Sequence, residues 1–194
     1  MSGCVLALEW SSSRISVAAR WEEGHRQEIL DLKRFQAEVA LPMLESFLSE
    51  IPEPTELRVG RGPGNYSGIR QALAWSFGYC APGELSLRAV SSGQAQARRI
   101  AGSCPAPFAV LGDARRGMWW GQIFGAEPDV WRLQTPKEWV GEIGKMPVFS
   151  QEAERLQGGG LDLWEDFPLA DDLLDLPDSV SAEDPVPLYL HPPV

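Results

Sequence analysis

The chain opens on two short apolar runs with polar residues between them. "CVLALEW" (4–10) is almost continuously apolar and "ISVAARW" (15–21) follows the polar turn "SSSR", a pattern that predicts two strands in succession. "EEGH" reads as the next turn and "QEILDLKR" (27–34) alternates enough to be a third strand, which makes a meander. The periodicity then changes. In "QAEVALPMLESFLSEI" (36–51), Ala40, Leu44, Phe47, Leu48 and Ile51 recur at helical spacing, with Pro42 expected in the first turn or at a kink. A fourth strand in "LRVGRG" (57–62), a helix over 67–80, a fifth strand in "LSLRAVS" (85–91) and a helix in "SGQAQARRIAG" (92–102) complete a β-β-β-α-β-α-β-α order.

After "CPAP" (104–107) the pattern restarts. Strands are expected in "FAVLGDARR" (108–116), "MWWGQIFG" (118–125) and "DVWRLQ" (129–134), then a helix in "PKEWVGEIG" and a strand in "MPVFS". No residue-level repeat is visible, yet three strands followed by a helix occur twice. The chain therefore reads as α/β with mixed sheets flanked by helices, in an N-terminal lobe 1–103 and a smaller C-terminal lobe 104–194. Between Glu152 and Ser179 the glycines interrupt any long helix, and the leucines and aspartates suit short helices or an ordered loop. Leu188, Tyr189 and Leu190 stand out as packing anchors in the proline-rich end.

Charge changes the picture mainly at one place. The net charge is −10, and nine acidic residues (Asp162, Glu165, Asp166, Asp171, Asp172, Asp175, Asp178, Glu183 and Asp184) fall within 162–184, with no lysine or arginine after Arg155. This segment reads as a solvated run able to face a basic partner, and the chain as a poor direct ligand for nucleic acid, whose phosphates are held by lysine and arginine. No apolar run approaches the ~20 residues of a membrane span, and the N-terminus lacks the basic start of a secretory signal, so a cytoplasmic protein is expected. Cys4, Cys80 and Cys104 have neither the spacing nor the even number of a disulfide or zinc framework, and with only His25 and His191 no metal site is expected.

The loop "GRGPGNYSGIR" (60–70) leads into a helix and so raises the possibility of a phosphate cradle. It lacks the lysine of a P-loop and the spacing of a nucleophile elbow. The alternative is a rigid turn at Gly62-Pro63-Gly64 that fixes where the helix begins, with Asn65 or Ser67 as its cap.

Five segments, in order, resemble one family. "GRGPGNYSGIRQALAWSFGYC" resembles the Gly-Pro-Gly-Ser-Phe-Thr-Gly-Leu-Arg helix start of the TsaB (YeaZ-like) proteins, "LGDARRGMWW" their Asp-Ala-Arg-Arg strand, and "VPLYLHPPV" their Pro-x-Tyr-Leu-Arg ending. "CVLALEWSSSRISVA" and "QAEVALPMLESFLSE" are similar to the family's opening hairpin and first helix. The resemblance implies the duplicated ribonuclease H-like fold of actin, sugar kinases and Hsp70. It also implies a non-catalytic, cofactor-free subunit in the synthesis of threonylcarbamoyladenosine on tRNA. The transferase would be a TsaD-like paralogue assisted by a TsaE-like ATPase, with tRNA met only through the complex and a homodimer formed when the chain is alone. The sequence departs from the family at Glu9-Trp10-Ser11, where an Asp-Thr-Ser is usual, at Phe35-Gln36, where a histidine is common, and at His191 in place of the terminal arginine.

Two functions follow. In the first, the chain is a scaffold whose two helices, 36–51 and 67–80, dock a partner through Met43, Phe47, Ala74, Trp75 and Gly78, with Ile69, Leu73, Ser76, Phe77 and Cys80 on the packing face. In the second it is a small ATP-dependent phosphotransferase or hydrolase using Glu9, Ser11 and Asp113, with Gly64 in the phosphate turn. No lysine, histidine pair or further acid completes that site, so the scaffold is the expected function.

Overall fold

The computed structural model describes residues 3–32, 36–83, 85–127, 129–156, 160–177 and 185–190. The chain forms two compact units, Met1–Gln96 with Pro168–Leu188, and Ala97–Phe167 with Tyr189–Val194.

In the first unit, β1 (Cys4–Glu9), β2 (Arg14–Trp21) and β3 (Gly24–Asp31) form the expected meander. Then come α1 (Ala37–Leu48), β4 (Pro54–Gly60), α2 (Tyr66–Cys80), β5 (Ser86–Val90) and α3 (Ser92–Ala101), the last of which leads into the second unit. The strand order is β3-β2-β1-β4-β5, with β1 antiparallel to β2 and parallel to β4. The apolar continuity of β1 has a direct cause: both of its faces are covered. Cys4, Leu6 and Leu8 pack with Ala40, Leu44 and Phe47 of α1 and Ile69, Ala72 and Leu73 of α2, while Val5 and Ala7 pack on the other side with Ala170, Leu173 and Leu174. Pro42 lies inside α1, past its first turn, on the exposed side.

The second unit contains β6 (Phe108–Arg115), β7 (Met118–Phe124), β8 (Arg132–Gln134), α4 (Pro136–Ile143), β9 (Pro147–Ser150) and β10 (Asp162–Glu165), with a 3-10 turn at Ala153–Leu156. Its sheet order is β10-β9-β6-β7-β8. Read from β8, this is third, second, first, fourth, fifth, the order of the first unit. The senses also agree, with β6 antiparallel to β7 and parallel to β9. The duplication is one of topology, as the repeated strand pattern predicts, and it makes the fold the doubled ribonuclease H-like α/β type.

The unit boundary differs from the 103/104 division expected from sequence. After Phe167 the chain returns to the first unit, where α5 (Ala170–Leu174) buries its leucines against β1 and β2. For the stretch around α5 this return also corrects the reading of the acidic run as solvated, while Asp162 and Glu165 are exposed as that reading expects. Asp172 is buried and its Oδ2 accepts from the Leu169 N–H at 2.9 Å. Asp175 meets Arg20 at 2.9 Å and Asp171 meets His25 at 2.6 Å. Arg58, also buried, donates from Nη1 to the carbonyls of Leu173 and Leu176 at 3.2 and 2.7 Å. Asp178, Glu183, Asp184, Phe35 and His191 lie outside the described residues. Among the described residues no helix is long and apolar enough to cross a membrane.

Candidate functional site

The loop before α2 has its polar groups engaged from within the chain. Asn65 caps the helix: its Oδ1 accepts from the N–H groups of Ser67 and Gly68 at 3.1 and 3.5 Å, and its own N–H donates to the Ser11 carbonyl at 2.5 Å. Gly62 donates to Ser92 Oγ at 3.1 Å while its carbonyl accepts from the Ser92 N–H at 2.9 Å. Gly62 has φ 98°, and a Cβ there would stand 2.8 Å from Ile69 Cδ1, so glycine is required both by conformation and by room. Two of the amides that a phosphate would seek at the start of α2 are already satisfied by Asn65. The turn sets the helix, with Gly64 half-buried within it.

Glu9 ends β1 and is fully buried. Its Oε1 accepts from the Ser11 N–H at 2.7 Å. Its Oε2 occupies the space over Gly60, where a Cβ would lie 2.0 Å from Oε2 and 2.6 Å from Ser92 Oγ. Burial pushes the Glu9 carboxyl above the ordinary range, and nearby Asp172 adds to the rise; the polar groups of Ser11 and Ser92 beside it oppose it. Ser11 is itself buried. The structure thus brings Glu9 and Ser11 together as predicted, but as a packed contact inside the first unit. A group meant to hold a metal-bound phosphate needs an oxygen that the ligand can reach, and neither Glu9 oxygen is offered to solvent.

Asp113, near the end of β6, is engaged by its own neighbours in the second unit. Its Oδ1 accepts from the Arg115 N–H and its Oδ2 from Arg115 Nη1, both at 2.8 Å, while Arg155 stands 3.9 Å away. The Asp113 N–H donates to Glu152 Oε2 at 2.9 Å. Burial raises the Glu152 carboxyl above its ordinary range, against the pull of that hydrogen bond and of Arg155. Among the described residues no group of three or more His, Cys, Asp or Glu side chains is arranged to hold a metal ion.

The helix residues named as contacts divide into two sets. Met43 and Phe47 are buried in the core beneath α1, so their expected place on an outward face is corrected: their spacing with Ala40 and Leu44 makes them the packing face of the helix. Trp75 is half-buried against the same core and stacks on Tyr79 with ring centroids 4.6 Å apart. Ala74 and Gly78 face outward, and a Cβ at Gly78 would meet nothing within 4 Å. Phe77, expected to pack inward, is 48% exposed, and Tyr66 is 54% exposed. Arg70 lies over the Tyr66 ring at 5.1 Å and donates to its hydroxyl at 3.0 Å. Tyr66, Arg70, Ala74, Phe77 and Gly78 follow one another at three or four residues, or side by side, along one exposed face of α2. The sequence reading leaves out Tyr66 and puts Phe77 inside; the spacing 66, 70, 74, 77 is what would group them on one face. Hydrophobicity alone assigns Phe77 to the core.

No family model matches the chain, and no curated protein matches it. Among solved structures, a protein described as having similarity to peptidase YeaZ, from Pseudomonas aeruginosa, superposes with a TM-score of 0.77 at 23% identity over 98% of this chain and 100% of that one. YeaZ from Pseudomonas aeruginosa superposes with a TM-score of 0.74 at 22% identity over 98% of this chain and 100% of the other. With both units included in each match, the chain has the fold of YeaZ.

Proposed function

We propose that this chain is a non-catalytic scaffold that binds and supports a TsaD-like transferase in forming threonylcarbamoyladenosine beside the anticodon of tRNA. The observation that carries the reading is the outward face of α2, where two large aromatic rings, Tyr66 and Phe77, lie beside the small residues Ala74 and Gly78. Exposed aromatics supply anchoring area and small residues admit a neighbouring helix closely. The likeness of the fold to YeaZ and the five motifs shared in order with the TsaB family support the same reading. In it a TsaE-like ATPase joins the complex, tRNA is met through the partner, the chain works in the cytoplasm, and two copies pair through this face when the partner is missing.

The buried Glu9 and the arginine-bound Asp113 weigh against the phosphotransferase alternative. Co-expression with the TsaD-like protein of the same organism should give a complex that co-elutes in size-exclusion chromatography, and tRNA modification should depend on this chain. The chain alone should turn over neither ATP nor tRNA. ATP hydrolysis by the purified chain that is lost on Asp113→Ala would overturn the proposal.

A further inference from the structure

The sheet of the second unit ends at β10. Among the described residues this strand pairs with β9 on one side, Asp162 opposite Pro147 through Glu165 opposite Ser150, and with no strand on the other. Its four residues are Asp162, Leu163, Trp164 and Glu165. Side chains alternate between the faces of a strand, so Leu163, which packs on the core with Ala109, Leu111 and Val148, shares its face with Glu165. Trp164 and Asp162 share the other, where the residue paired with Trp164 is the half-buried Phe149.

Trp164 is 57% exposed. Charged residues on an edge strand ordinarily keep other strands away, but an open indole in the middle of the edge adds apolar area of the type that anchors interfaces. Asp162 and Glu165, at the two ends, are both exposed, and neither makes an ion pair among the described residues.

We propose that the free edge of β10 is a strand-addition site for an extended segment of a partner protein, with two apolar residues flanked on each side by lysine or arginine. A strand laid along β10 would use the outward backbone groups for affinity and its side chains for choice. Its basic residues, three positions apart, would stand opposite Asp162 and Glu165. One apolar residue would cover the Trp164 ring, and the other would extend the Leu163 face. A second copy of this chain is a poorer occupant: antiparallel pairing of two β10 strands would set Asp162 of each copy against Glu165 of the other, and like charges directly opposite destabilise a pair. This site goes beyond the α2 face and is separate from it.

The test is fluorescence anisotropy with two labelled peptides, one containing Lys-Val-Ile-Lys and one containing Glu-Val-Ile-Glu. The lysine peptide should bind with an affinity that falls as salt rises, and the glutamate peptide should not bind. Trp164→Ala should weaken binding by about tenfold or more, on the scale of a lost interface anchor. The Asp162→Lys, Glu165→Lys double variant should exchange the preference for the glutamate peptide. Circular dichroism checks that each variant is folded, and if Trp164→Ala is not, the charge exchange decides alone. The proposal is overturned if the wild type binds neither peptide or both equally, if the charge-exchanged variant keeps the original preference, or if sedimentation shows a dimer that Trp164→Ala abolishes.

Discussion

At Glu9 the chain fills with its own carboxylate the space over Gly60. The fit leaves no margin for a methyl group, so Gly60→Ala should destabilise the protein by about 1–3 kcal/mol in urea denaturation, the usual cost of overpacking. Adding Glu9→Ala should recover part of that loss, and additive effects would show that the two positions do not compete for space. A pH dependence follows from the same burial. Because the folded carboxyl titrates above its ordinary value of 4.5, the fold favours the protonated form. The stability it contributes is complete below the unfolded pKa and is lost as pH rises through the folded one. Glu9→Gln should therefore lose less stability than the wild type as pH rises above about 4.5, the ordinary value. Parallel curves would mean that Glu9 is ionised in the folded protein. None of this is legible in "CVLALEW": an acid after a strand looks like a ligand, and the groups that enclose it, Gly60 and Ser92, come from distant parts of the chain.

Among the elements, α5 shows how an acidic stretch can be structural. Its apolar side packs on the sheet, Arg58 binds its last carbonyls from below, and Asp172 caps its first turn. Arg58→Met would leave buried carbonyls without donors and should cost on the order of 3 kcal/mol, measured as a shift in the urea midpoint. Asp171→Asn with Asp175→Asn removes only partly exposed pairs and should cost less than about 1 kcal/mol. Equal losses would mean that charge, and not the Arg58 contacts, holds α5 in place. The strands from β1 to β9 and the helices α1 to α4 were legible because their hydrophobic periods are local. β10 and α5 were not placed, since a four-residue strand and a five-residue helix carry too little period of their own. Their partners, β9 and the far face of the first sheet, decide what they become. The same limit governed the helix contacts. Spacing groups Phe47 with Ala40 and Leu44 but leaves Met43 out and assigns both to a partner, because which face of a helix meets the chain's own sheet is settled only in three dimensions.

At the scale of the whole molecule, the outward face of α2 is the surface on which the proposed function stands. Gly78→Arg meets open space in the folded chain, so thermal unfolding should change little. The variant should fail to co-elute with the TsaD-like partner and should also be monomeric if the wild type self-associates, because both contacts would need the same helix face. Retained binding would place the contact elsewhere. The two topologically equivalent sheets bear on a different property, the order in which the molecule can be made. The Ser16 hydroxyl of β2 accepts from the Ala170 N–H at 2.8 Å across 154 positions of sequence. One side of the first sheet, with Val5, Ala7, Ala18 and Val90, therefore has only Ala95 of α3 against it during synthesis and lacks the rest of its cover until residues 170–176 have emerged. The second unit can collect all of its strands before the first has its last helix. A nascent chain stalled between the two would present that apolar face to chaperones, and the first sheet would be the later of the two to gain its last packing element.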